Sequence, residues 1–193
     1  MYFLKKRSIR FYLGFVFILS MAIGGSAIAA FADSGTATVA VNAGSLTLTG
    51  VTNVSAVPVT LTGDDQTTTY SMGLTVSDAR GSGAGWNLSI TSTAFTTGPQ
   101  SLSNTTSSIN ASPAVACSST GGHCTSPDDS AITYPLGIPA GATAPPAVKF
   151  FDARANTGLG KFAITPTVTL SIPGNTYAGT YTSTVTIALN IGP

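Results

Sequence analysis

Residues 181–191 read YTSTVTIALNI, and Tyr181, Ser183, Val185, Ile187, Leu189 and Ile191 hold one parity across the whole stretch. Side chains along a strand alternate between two faces, so apolar residues at every second position mark a half-buried β-strand. An amphipathic helix would instead repeat near 3.6 residues, and outside the N-terminal segment no window of this chain does so. The longest clean alternation in the sequence is therefore a strand signal, and it sets the reading of the rest.

A second stretch carries the same signal with an unusual start. Residues 81–93, GSGAGWNLSITST, place the chain's single tryptophan directly after a glycine-rich turn. Trp86, Leu88 and Ile90 then share a face, with Asn87 and Ser89 on the other. Shorter alternations occur at Ala37, Val39 and Val41, at Leu46 and Leu48, and at Tyr70, Met72, Leu74 and Val76. Others fall at Val57, Val59 and Leu61, where Pro58 suggests an edge or a bulge, and at Ile164, Val168, Leu170 and Ile172. The expectation is an all-β fold, an antiparallel β-sandwich. Between about residues 96 and 146, Ser, Thr, Asn, Gly and Pro dominate, which reads as a long insertion with short strands around 114–116 and 131–134.

The N-terminal residues are set aside from the fold. Lys5, Lys6, Arg7 and Arg10 precede an apolar run from Phe11 to Ile23, and Ala30-Phe31-Ala32 closes a small-residue pattern. That arrangement predicts a secretion signal peptide over residues 1–32, cleaved before Asp33, and a domain over residues 33–193. After cleavage the cations are Arg80, Lys149, Arg154 and Lys161 against seven Asp, a net charge of −3. Neither an electropositive footprint for nucleic acid nor a polybasic patch for anionic lipid is present. The membrane is expected to matter only through the uncleaved signal.

Export bears on the cysteines. Cys117 and Cys124 flank SSTGGH, and an even count in an exported chain points to a disulfide, with two free thiols as the other reading. His123 beside them leaves the set short of the four ligands of a structural zinc site, so no metal is expected. Asp64-Asp65 and Asp128-Asp129 sit in turn-like contexts, where carboxylates usually accept local backbone N–H bonds. Catalytic signals are poor: no P-loop, no Gly-x-Ser-x-Gly elbow, and one histidine. The reading is not an enzyme, and no cofactor.

One internal echo stands out. DARGSGAGW (78–86) and DARANTGLGKF (152–162) both carry Asp-Ala-Arg, then Gly-x-Gly, then an aromatic. They read either as two similar turns or as sites where Arg80 and Arg154 contact a ligand.

These residues carry a resemblance. TVSDARGSGAGWNLSIT (75–91) resembles the first half of the WxL domain, a module of Gram-positive bacterial cell surfaces named for its Trp-x-Leu, here Trp86-Asn87-Leu88. The family's second motif runs from a tyrosine through an aliphatic residue, Thr-Trp-x-Leu and a final proline. Tyr181, Val185, Thr186, Leu189 and Pro193 match it, and Ile187 stands where the family has tryptophan. LSIPGNTYAGTY (170–181) is similar to the segment preceding that motif. The resemblance implies an exported cell-surface protein held non-covalently on the wall, with peptidoglycan as ligand and other surface proteins as further partners. With no sorting sequence or hydrophobic tail at the C-terminus, retention at the surface is expected to be non-covalent, or absent. The alternative is an assembly subunit of a surface complex that binds no glycan itself. Trp86 then reads either as a core ring or as a ligand platform, and parity puts Ile187 on the face of Val185, Leu189 and Ile191.

Overall fold

The structure, a computed structural model, describes residues 35–50 and 52–193, so the expected signal peptide lies outside the described residues. The chain divides into a segment ending at Ala40 and a unit from Val41 to Pro193. Residues 35–45 form no strand, although Ala37, Val39 and Val41 alternate.

Strands come from stretches where Thr, Val and Ile suit a pleated surface. They are β1 (Leu46–Thr49), β2 (Gln66–Ser71), β3 (Leu74–Asp78) and β4 (Trp86–Thr93). A small hairpin, β5 (Thr96–Thr97) and β6 (Gln100–Ser101), precedes β7 (Ser107–Ile109) and β8 (Ala114–Cys117). β9 (Leu136–Gly137) and β10 (Ala140–Gly141) lead to β11 (Val148–Ala153). β12 (Gly160–Thr165), β13 (Thr167–Ile172) and β14 (Val185–Ile191) complete the order. No helix occurs among the described residues.

The strands make an all-β sandwich. In one layer β3 lies between β1 and β12, with β8 beyond β12, while β13 lies between β2 and β7, with β9 beyond β7. These two ladders are halves of one layer, because β2 runs on into β3 and β12 into β13. Pro166 interrupts the second pair, having no N–H to give. The Met72 N–H nevertheless donates to the Pro166 carbonyl at 3.1 Å and carries the ladder across the break. Parity survives it: Tyr70, Met72, Leu74 and Val76 are all buried.

The facing layer is built on β4. β14 pairs one edge antiparallel, with Ile187 opposite Ile90 and Leu189 opposite Leu88. β11 takes the other edge, and β10 adds a short parallel pairing at Ser92 and Thr93. β11 carries a bulge between Lys149 and Phe151. The extra residue lets Phe150 and Phe151, neighbours in sequence, both turn inward. Between the layers, Trp86 stacks on Phe151 at 5.7 Å and meets Phe162 of β12 at 6.5 Å. Burying such a ring contributes on the order of 2–3 kcal/mol.

Two further stretches behave differently from expectation. Val57, Val59 and Leu61 lie outside any strand, with Val57 and Leu61 exposed. Pro58 removes a donor there, and the attachment to β2 reduces to one backbone bond and the Thr68 hydroxyl donating to the Val57 carbonyl. Residues 131–134 form no strand. The stretch 96–146 contributes β7, β8 and β9 to one layer and β10 to the other.

Candidate functional site

The family-type residues gather on two adjacent strands although their motifs are about a hundred residues apart. Trp86 and Leu88 point inward and are fully buried. Val185, Ile187 and Leu189 point inward beside them and are half-buried. The intervening positions face out: Asn87 and Ser89 on β4, Thr186, Ala188 and Asn190 on β14. Asn190 Nδ2 donates to Asn87 Oδ1 at 3.0 Å and to Ser89 Oγ at 3.2 Å, joining the two strands on that outer face. Ile191 breaks the pattern, being 75% exposed at the end of β14. Tyr181 lies before β14, its hydroxyl donating to the Tyr177 carbonyl, and Pro193 is exposed after Gly192.

The two echoed loops meet at one end of the sandwich. Asp78 is buried, and Arg80 grips it with two bonds, Nε to Oδ1 at 2.9 Å and Nη2 to Oδ2 at 2.8 Å. The same Nη2 donates to the Gly85 carbonyl, so the guanidinium fastens the glycine turn to its own strand end. These bonds hold the Asp78 carboxyl below the ordinary carboxylate range. Gly85 has φ of +73°, and a side chain there would run into the Ala153 carbonyl, so the turn needs glycine.

Across from it, the Asn156 N–H donates to the Gly83 carbonyl and locks the loops together. The Trp86 Nε1–H donates to the Gly158 carbonyl at 3.0 Å. Gly158, with φ of +68°, presses its α-carbon side against the indole, leaving no room for a β-carbon. Gly85 and Gly158, one from each echo, thus serve close approach.

The second echo does not repeat the first in its charges. Asp152 is buried with Oδ1 unpaired, and its other oxygen is 3.9 Å from Lys149 Nζ. Arg154 reaches Asp128 at 3.8 Å, with about half of its side chain in water. Hydrogen bonds from Ser130 hold the exposed Asp128 carboxyl below its usual range.

Beside this loop lies the disulfide between Cys117 and Cys124, whose Cα atoms are 5.9 Å apart. It closes a loop in which the Ser119 hydroxyl accepts the Lys161 N–H. Thr125 bridges Leu159, and the two segments form an open groove lined by Gly122, His123, Cys124, Thr125, Leu159 and Gly160. Arg154 stands on the loop that leads to the groove's Leu159, Lys161 follows Gly160 on β12, and both are exposed. Among the described residues, no group of three His, Cys, Asp or Glu is placed to hold a metal ion.

Of the three residues considered for ligand contact, Trp86 is enclosed on all sides and Arg80 is committed to Asp78 and Gly85. Arg154 is the one open to solvent. The groove itself was missed in sequence, because its walls come from segments that touch only in the fold.

The WxL domain family, described as a surface cell wall-binding domain, matches residues 42–193. No curated protein and no solved structure matches the chain.

Proposed function

The chain belongs to the WxL family of surface cell wall-binding domains, and on that footing we propose that it is exported and binds peptidoglycan non-covalently. Residues 1–32 act as the signal peptide, and the domain from Asp33 remains on the wall of a Gram-positive cell. The family match over residues 42–193 carries this reading.

The geometry supports a division of labour. Trp86 and Leu88 form the frame, since an enclosed side chain offers a ligand no surface, and Val185, Ile187 and Leu189 pack inward beside them. The loop-bearing end makes the contact, through the groove between residues 122–125 and 159–160 and the exposed guanidinium of Arg154. Peptidoglycan supplies hydroxyls, amides and stem-peptide carboxylates, and a guanidinium pairs with carboxylate through two parallel N–H bonds. No step of chemistry is assigned to the site, and the ligand is held rather than changed.

The test is sedimentation of the domain with purified wall sacculi. The protein is expected in the pellet, displaced by soluble peptidoglycan fragments. Recovery in the supernatant across a range of salt concentrations overturns the reading.

A further inference from the structure

β14 pairs with β4 on one side only, among the described residues. The ladder's phase tells which groups are left over. Thr93 N–H donates to the Thr184 carbonyl and Gly192 N–H to the Gly85 carbonyl, so even-numbered residues face β4. The N–H and C=O groups of Val185, Ile187, Leu189 and Ile191 therefore point to the free edge. The other side of this layer is managed differently, since the Tyr134 hydroxyl donates to the Phe150 carbonyl of β11. Free edges are normally blunted by charge, proline or a bulge. β14, VTIALNI, has no charge and no proline, and its register with β4 runs unbroken.

The chain also carries a strand-like segment that joins no strand among the described residues. Ala37-Thr38-Val39-Ala40-Val41-Asn42-Ala43 alternates, is uncharged and forms no strand, and Val39 and Val41 are 86% and 89% exposed. Its length matches that of β14. We propose that residues 37–43 of a second copy of this chain add to the free edge of β14. Val39 and Val41 then extend the apolar row of Val185, Ile187 and Leu189, and the added backbone bonds the four unpaired residues. Main-chain bonds supply the affinity of such strand addition, and the alternating side chains set the register. Reciprocal exchange between two copies satisfies both edges and closes as a two-fold dimer. This assembly does not depend on wall binding.

Light scattering on the protein begun at Asp33, over a wide concentration range, reads the assembly directly. The expected result is a mass that doubles with concentration, and free-edge amides at Val185, Ile187 and Leu189 that gain protection from hydrogen exchange in step. The double variant Val39→Asp, Val41→Asp alters only exposed side chains and is expected to stay monomeric at every concentration. Ile191→Pro removes an N–H that β4 does not use and is expected to weaken the dimer. A wild-type protein that remains monomeric overturns the proposal, including one in which the arm pairs within its own chain. So does a dimer unaffected by the double variant.

Discussion

The indole N–H of Trp86 donates to the carbonyl of Gly158, 3.0 Å away and 72 residues along the chain. That single bond ties the first motif strand to the loop that carries Arg154, and it fills the space where any other residue at 158 would need a β-carbon.

Trp86→Ala is expected to cost about 3–5 kcal/mol, the usual range for emptying an aromatic site in a core. Trp86→Phe should cost less, about 1–3 kcal/mol, mostly because the Gly158 carbonyl loses its donor. Gly158→Ala should destabilise as well, through the close indole contact and a φ of +68°. Denaturant titration followed by far-UV circular dichroism measures all three. In the wild type the lone indole should emit in the blue and resist aqueous quenchers.

Acid should release the Asp78–Arg80 latch. Arg80 holds the Asp78 carboxyl below its ordinary range, so the unfolded chain binds that proton more tightly than the folded one. The contribution is complete above the unfolded value near 4 and is lost as pH falls through the lower folded value. Asp78→Asn should destabilise the domain at neutral pH by at least about 2 kcal/mol, because the guanidinium loses its partner. It should also flatten the acid side of a stability-against-pH curve. An unchanged acid limb in the variant removes Asp78 as its source.

Ile90 and Ile187 face each other across the motif strands, but only Ile90 is fully buried. Ile90→Ala should cost about 2–5 kcal/mol. Ile187→Ala should cost clearly less, about 1–2 kcal/mol, since part of its surface already meets water. Equal losses in paired melting experiments contradict the difference in burial.

Arg154→Ala separates binding from folding. Its exposed pair with Asp128 is screened by water and contributes little to folding, so the melting temperature should hardly move. Sedimentation with wall sacculi should fall several-fold. Full retention on the wall would move the contact surface away from this loop.

The strands of the motifs were legible because alternation is a local property. Parity alone put Trp86, Leu88 and Ile90 on one face, and Val185, Ile187 and Leu189 on another, and the sandwich keeps both rows inward. β11 was not legible, because VKFFDA does not alternate: the bulge at Phe150 turns two consecutive aromatics into the core. Residues 37–41 and 57–61 erred in the opposite direction. A pattern says what face a strand would have, and only a neighbouring backbone can make it one. The candidate site was legible in pieces: both arginines, the glycines and the cysteines were singled out, without their being neighbours.

By itself the sequence determined the all-β class, the two signature strands and their inward faces, because these follow from a two-residue period within each strand. The tertiary structure alone decided that those strands lie side by side, that Trp86 closes on Gly158, and that Arg154 rather than Arg80 is left exposed. Pairing across a hundred residues depends on which edges meet in space. Whether a charge is spent inside the fold or offered outside it depends on what those edges bring beside it.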